Sequence, residues 1–228
     1  MTLPRLIAAL SEVRGVEWIR LLYCHPDHVD EGLIDEYARN PLLLKYIDLP
    51  FQHASRAVLQ RMGRKGDARA HLSLLEKLRD RVPGIRVRST FMVGFPGESR
   101  TDFDELMGFI ETARVDRAGC FMYSDEDGTR ALELDGRVPP AVKRARYRAL
   151  MALLKKISAE KMSEHVGSTL RVLVEERVDE STWIGRTEYD APEVDGIFYL
   201  TGADIRVNSI IHSVVTDSME YDLMGVPV

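Results

Sequence analysis

Cysteine is nearly absent from this 228-residue chain: Cys24 and Cys120 are its two, 96 positions apart. No C-x-x-C or longer cluster-binding run exists, so neither a thiolate zinc site nor an iron–sulfur site can be built from its own cysteines. Each lies in an apolar, strand-like stretch, LLYCHP and GCFMYS, where a free thiol behaves as a small buried hydrophobe. Long hydrophobic runs are missing too, and none approaches the roughly 20 apolar residues of a membrane span. The opening MTLPRLIAALSEVRG is interrupted by Arg5, Glu12 and Arg14, which excludes a secretory signal and makes a cytoplasmic protein the expectation. Lysine is absent from Val166 to Val228, where Arg171, Arg177, Arg186 and Arg206 face twelve acidic residues for a net charge of −8. A phosphate backbone repels such a segment, so RNA binding is not expected of it and a basic protein is the better partner.

What is present has an ordinary globular balance, 45% hydrophobic and 29% charged. The first 135 or so residues alternate helix-like and strand-like segments. Leu3, Leu6, Ile7, Leu10 and Val13 share one face of an opening helix that Gly15 stops. Strands are predicted at 18–23, 45–52, 85–98 and 117–124. Helices are predicted near 29–39, near 66–81, and after the third strand with Thr101 as its N-cap. Repeated β–α units of this length argue for a parallel sheet with helical crossovers, and four strands make an arc rather than a closed barrel. Polar and glycine residues collect at the strands' C-terminal ends, where such sheets place their sites. A long helix over 138–165 carries Lys143, Arg144, Arg146, Arg148, Lys155, Lys156 and Lys161, a face that suits RNA or, more commonly, plain solvent. Beyond Gly167 the period becomes that of strands: LRVLVEE, WIGRT, GIFYL and DIRVNSIIHSVVTD, separated by turn residues, predict a small β-barrel. The expected domains are therefore 1–137, a connecting helix 138–165, and 166–228.

Five segments carry candidate chemistry. Gln52-His53-Ala54-Ser55 fits a ribose- or carboxylate-binding strand end, or equally a turn in which Ser55 caps a helix and His53 is a hydrogen-bonded turn residue. Val93-Gly94-Phe95-Pro96-Gly97-Glu98 sheds its side chains at two glycines, which lets a flat ligand approach the backbone while Phe95 offers a ring. It lacks the glycine-lysine ending of a phosphate-cradling loop. Arg86 and Arg88 point to one face of their strand and need a carboxylate or a ligand; Arg88, nearer the strand's C-terminal end, fits either. The acidic runs Ala191–Gly196 and Glu220–Gly225 read as turns or as exposed contact loops.

Taken in order, YIDLPFQHAS, RVRSTFMVGFPGES, DRAGCFMYSDEDGT, VGSTLRVLVEE, GRTEYDAPEVDG and EYDLMG resemble the ribosomal-protein aspartate methylthiotransferases (RimO-type) of the radical S-adenosylmethionine group. The resemblance covers essentially the whole chain, as the C-terminal part of such an enzyme. It implies an α/β fold: an arc of a radical-SAM (β/α) barrel, TIM-like, then a long helix and a small all-β TRAM barrel of OB-like type. The related transfer-RNA adenosine methylthiotransferases share this architecture but usually show Gln-Ser-Gly-Ser where this chain has Gln52-His53-Ala54-Ser55. That difference and the −8 charge favour the branch that modifies a basic small-subunit ribosomal protein. The family reaction adds a methylthio group to an aspartate β-carbon. One [4Fe-4S] cluster cleaves S-adenosylmethionine to a 5′-deoxyadenosyl radical and a second supplies sulfur; the ligands of both are absent from this chain. By the resemblance, Gln52 and Ser55 contact the ribose or methionine part of the cofactor. Val93, Gly94, Phe95, Pro96, Gly97 and Glu98 lie near adenine, with Tyr123 and Ser124 beside them, and Arg88 is a candidate for the methionine carboxylate. Asp190, Ala191, Pro192, Glu193 and Asp195 fall on the substrate-protein face. No residue here is assigned as catalytic or as a metal ligand, and the chain alone is expected to be inactive and to bind the cofactor weakly or not at all. A fragment of the transfer-RNA enzyme and a non-catalytic module that docks on a ribosomal protein are the competing readings.

Overall fold

The computed structural model describes residues 2–228, which divide into two compact units: residues up to Leu43 with Ile47–Leu154, and Leu44–Tyr46 with Lys155–Val228. In chain order the elements are α1 (Leu3–Ser11), β1 (Ile19–Leu21), α2 (Glu31–Arg39), β2 (Leu43–Asp48), α3 (Arg56–Arg61), α4 (Ala68–Arg81), β3 (Arg86–Val93), α5 (Arg100–Ala113), β4 (Arg117–Met122) and α6 (Pro140–Ser163). The strands β5 (Thr169–Arg177), β6 (Thr182–Thr187), β7 (Phe198–Thr201), β8 (Ile210–Ser218) and β9 (Leu223–Pro227) follow.

Strands β1 to β4 form an open sheet in sequence order, with parallel pairing recorded for β1–β2 and β3–β4, as β–α repeats require. Alternation along β3 decides its two faces. Val87, Ser89, Phe91 and Val93 are buried, and the Phe91 ring meets Phe109 of α5 edge-on at 6.2 Å. Arg86, Arg88, Thr90 and Met92 occupy the opposite face, and both arginines find carboxylates: Arg86 with Asp116 at 3.0 Å and Arg88 with Asp48 at 3.1 Å. Helix starts follow local capping chemistry. Asp30 accepts from the Leu33 N–H, and Asp67 from the Ala70 N–H. At α5 the cap is Ser99, not Thr101, because Ser99 and Asp102 satisfy each other's backbone N–H groups as a capping box. Of the α1 stripe only Ile7 is buried; Leu3, Leu6, Leu10 and Val13 remain exposed. Cys120 is buried and Cys24 half-buried, and desolvation pushes their thiols to about 12 and about 11.

The second unit is a closed barrel in the order β5-β6-β7-β9-β8. Inward residues Leu170, Val172, Val174, Trp183, Phe198, Leu200, Val215 and Leu223 fill it, and Met162 from the end of α6 joins them. Two sequence expectations shift here. Asp204–Ser209 is turn rather than strand, and β8 begins at Ile210; Asp204 and Asn208 take left-handed backbone that a strand cannot. The Glu220–Gly225 run is acidic turn only to Asp222, since Leu223 starts β9, pairing parallel with β7 and antiparallel with β8.

Candidate functional site

A cavity of about 560 Å³ opens at the C-terminal ends of the parallel strands, a size usual for a small-molecule site. Gln52 and Phe95 line it together with Arg61, Met62, Arg64, Met92 and the segment Thr129–Ala131. Gln52 sits just past β2 with left-handed backbone (φ 68°), pinned because its N–H donates to Thr90 O at 2.9 Å and its carbonyl accepts from Met92 N–H at 2.8 Å. A non-glycine residue held in this region is costly, and the sheet bonds on either side impose it.

The apolar wall is Phe95, packed edge-on against Tyr123 at 5.1 Å, with Val58 behind and Met62, Met92, Ala131 and Leu134 beside. The Tyr123 hydroxyl is buried in this wall without a hydrogen-bond partner among the described residues. The cationic side is Arg61 and Arg64. Arg61 is already engaged, by the Asp135 carboxylate and the Pro96 carbonyl. Arg64 is half-buried, its guanidinium donates to the Pro50 carbonyl at 3.0 Å, and no carboxylate pairs with it among the described residues. Desolvation lowers its pKa, with Asp27 acting in the opposite direction. The sequence reading missed Arg64; its signal was position alone, twelve residues past Gln52 and three past the end of the short helix α3.

The other cofactor-side residues take different places. Arg88 is held by Asp48 and does not line the cavity, so of its two open readings it adopts the salt bridge. Ser55 is buried, does not cap α3 through its side chain, and donates to Asp102 at 2.5 Å. Val93 points into the helix-side core. Gly94 and Gly97 both take left-handed backbone. The Pro96 carbonyl accepts from Arg61. Glu98 is turned inward, accepting the Gly94 N–H at 2.6 Å and pairing with Arg146 at 2.6 Å. Tyr123 is in the wall, and Ser124 is exposed and bonded to Glu126. Thus only Gln52 and Phe95 of this set face the cavity, while the rest brace it or lie outside it.

In the small barrel a second cavity of about 340 Å³ is lined by Ala191, Pro192, Glu193, Asp195, Gly196, Ile197 and the β5–β6 residues Glu175, Ile184, Gly185 and Arg186. Asp190 lies beneath it, buried, accepting from the Thr187 hydroxyl at 2.5 Å. Asp195 accepts the Ala191 N–H at 2.9 Å, which closes the loop on itself. The loop is therefore a built turn, and its free carboxylate is Glu193, exposed and left-handed at φ 66°.

Iron–sulfur clusters do not fit the residues present: no group of three His, Cys, Asp or Glu side chains is close enough to hold a metal among the described residues. No helix is long and apolar enough to cross a membrane. An adenosine-bearing carboxylate ligand does fit the first cavity, which offers an apolar wall, an amide and, in Arg64, a half-buried cation that no carboxylate pairs with among the described residues.

Comparison with known proteins agrees with this architecture. Residues 2–110 match the family model of the Radical SAM superfamily, and residues 166–228 match the TRAM domain. A ribosomal protein uS12 methylthiotransferase of Clostridium kluyveri is 42% identical over 225 residues, covering 98% of this chain and 50% of that protein. The protein of the same description from Cellvibrio japonicus is 46% identical over 224 residues, covering 97% and 48%. The chain thus spans about half the length of the curated relatives it matches. Among solved structures, the coproporphyrinogen III oxidase HemN of Escherichia coli, described as a radical SAM enzyme, superposes with a TM-score of 0.57 at 14% identity over 68% of this chain and 38% of its own, a likeness of fold. With its parallel α/β sheet, long helix and closed TRAM barrel, the chain resembles the C-terminal half of the radical S-adenosylmethionine methylthiotransferases.

Proposed function

We propose that this chain forms the cofactor-holding and partner-docking portion of an enzyme that methylthiolates the β-carbon of an aspartate in a basic small-subunit ribosomal protein. The observation that carries the reading is the juxtaposition, in one cavity at the strand ends, of the Phe95 wall, the Gln52 amide and the carboxylate-free Arg64 guanidinium. Those three groups suit the three parts of S-adenosylmethionine: a flat base, a hydroxyl-rich ribose and an α-carboxylate. Arg64 replaces Arg88 as the carboxylate anchor, since the Arg88 charge is already neutralised by Asp48. Bound there, S-adenosylmethionine would supply a carbon radical on reductive cleavage; the residues of this chain orient it and exclude water. The reductant must be a cluster held by ligands outside the residues described.

The small barrel is assigned the docking role. Its net charge of −8 and the exposed Glu193 beside a 340 Å³ recess suit a lysine- or arginine-rich protein surface. Because the relatives are about twice as long, the decisive test joins this chain to the N-terminal half of the Clostridium kluyveri relative, the part this chain does not span. The fusion is expressed in a host lacking its own uS12 methylthiotransferase. Intact-mass analysis of ribosomal protein uS12 is expected to gain one methylthio group in place of hydrogen. Unmodified uS12 together with methylthiolated transfer-RNA adenosine would overturn the assignment in favour of the RNA branch.

A further inference from the structure

Behind the cavity wall lies a charged layer that the cofactor reading leaves unused. The first half of α6 places Lys143 and Arg146 one helical turn apart, on the same side. Arg146 reaches the Gly94–Glu98 turn: its Nη1 pairs with Glu98 Oε1 at 2.6 Å and donates to the Glu98 carbonyl at 3.0 Å, and its guanidinium lies 5.6 Å over the Phe103 ring. Glu98 is buried completely, and its other oxygen accepts the Gly94 N–H at 2.6 Å. Lys143 lays its stem across Gly94 so closely that a Cβ there would lie 2.4 Å from the lysine Cγ. Its ammonium donates to the Tyr123 carbonyl at 2.9 Å and sits 4.9 Å over the Tyr123 ring.

A third group completes the layer. His53 is fully buried; its Nδ1 accepts the Ser55 N–H at 2.9 Å, which leaves the ring proton on Nε2, 3.7 Å from Glu98 Oε2. One carboxylate therefore binds a backbone amide from the strand end after β3 and a guanidinium from α6, with the buried imidazole from the strand end after β2 lying 3.7 Å away. The two strand ends it joins are the ones that present Gln52 and Phe95 to the cavity.

We propose that Arg146 and Lys143 are positioning residues for the cofactor cavity: through Glu98, Gly94 and the Tyr123 carbonyl they fix the turn that carries Phe95 at the spacing from Gln52 that a bound adenosine requires. The proposal rests on the cofactor reading of that cavity. Glycines at 94 and 97 contribute no side chain to lock the turn, with φ of 76° and 89°. Arg61 and Gly136 hold its far end at Pro96 and Gly97, and the tether from α6 through Glu98 holds the end at Gly94. Arginine at 146 suits the task because one planar fork serves both a carboxylate and a carbonyl, which a lysine ammonium does less rigidly.

The test uses the 228-residue chain, ¹⁵N-labelled, with amide hydrogen exchange as a readout independent of activity. Arg146→Met is expected to speed exchange at Gly94 and Glu98 by roughly tenfold or more, with Val172 and Val174 of the small barrel unchanged. Arg146→Lys restores most of that protection. Lys143→Met does the same at the Tyr123 amide, which donates to the Val93 carbonyl. If Arg146→Met fails to fold, the double variant Glu98→Gln, Arg146→Gln removes both buried charges and is read at the same amides. Unchanged exchange at Gly94, or acceleration shared equally by the small barrel, overturns the proposal. In a second arm S-adenosylmethionine is titrated into the fusion with the relative's N-terminal half while the Gln52, Met92 and Phe95 amides are followed. A roughly tenfold weaker response in Arg146→Met supports positioning, and an equal response refutes it. Silence of the fusion without substitutions in this arm would sink the cofactor reading, and the exchange arm still decides the tether.

Discussion

Replacing Gly225 by alanine is expected to unfold the small barrel at much lower denaturant, although the change adds one methyl group. Gly225 lies in β9, opposite Leu200 of β7 and Val215 of β8. A Cβ there would fall 2.3 Å from the Val214 carbonyl oxygen and 2.7 Å from Phe198 Cζ. Neither obstacle can yield cheaply. The carbonyl belongs to a strand paired on both sides, and the Phe198 ring is fully buried in the barrel core. Overpacking of this kind costs about 1–3 kcal/mol, and two fixed neighbours place it in the upper part of that range, about 2 kcal/mol or more. A unit of this size unfolds with a urea slope of about 1 kcal/mol per molar, so the midpoint should fall by about 2 M. Trp183 fluorescence, in a Trp18→Phe background, reports on this barrel because Trp183 is one of its core residues. Gly119→Ala in β4 is the matched control, a strand glycine whose added Cβ meets nothing within 4 Å. Alanine there also lowers the entropy of the unfolded chain, so it should be neutral or slightly stabilising. If Gly225→Ala moves the midpoint by less than about 0.3 M, or no more than the control does in its own unit, the close-approach reasoning is wrong.

Two further outcomes follow from groups in the first unit. His71 packs 4.5 Å from the Phe51 ring and 5.9 Å from Phe109, and burial lowers its pKa from 6.5 to about 4. The unfolded chain then takes up a proton near pH 6.5 that the folded chain refuses until about pH 4. Stability from this group is therefore present above 6.5 and lost as pH falls toward 4, by about 3 kcal/mol; His71→Gln should flatten that loss in urea titrations at pH 7 and pH 4.5, and an unchanged slope would count against it. Arg64→Gln should weaken S-adenosylmethionine binding in the two-half fusion by about tenfold at unchanged stability. Arg88→Gln should instead destabilise by leaving Asp48 buried and unpaired; the reverse pattern in calorimetric titrations would return the carboxylate to Arg88.

Much of the fold was legible because it rests on periodicity and punctuation. The four parallel strands, the long helix and the switch to a barrel beyond Gly167 all follow from where apolar residues recur and where glycine and aspartate interrupt them. What stayed hidden depends on partners far away in sequence. Ser99 outcompetes Thr101 as the cap of α5 only because Asp102 returns the bond. The tail's last strand escaped notice because Leu223–Pro227 is short, and it pairs with strands on both sides rather than showing a long alternation of its own. In the site, Gln52 and Phe95 were visible as a polar strand end and a ring between glycines. Arg64 was not, since an arginine just past a short helix looks like surface until its partial burial and the lack of an ion-paired carboxylate among the described residues are seen. Glu98 was visible as part of the glycine turn, but nothing local says that its carboxylate turns inward toward Arg146, 48 positions on.

That inward turn follows from what the strand end after β3 has to be. A segment that lets a flat ligand lie against its backbone must shed side chains, and glycine at 94 and 97 does so at the cost of conformational freedom. Apolar packing cannot restore order there, because the glycines have nothing to pack. A hydrogen bond to the backbone can, provided its acceptor is itself immobile. Glu98 accepts the Gly94 N–H and is fixed in turn by Arg146, and burial strengthens both bonds by removing competing water. Burying a charge pair gains little stability compared with an apolar pair of equal volume. Its presence four residues from Gly94, a buried glycine with left-handed backbone, is therefore better explained by the precision it gives the turn than by the stability it gives the fold.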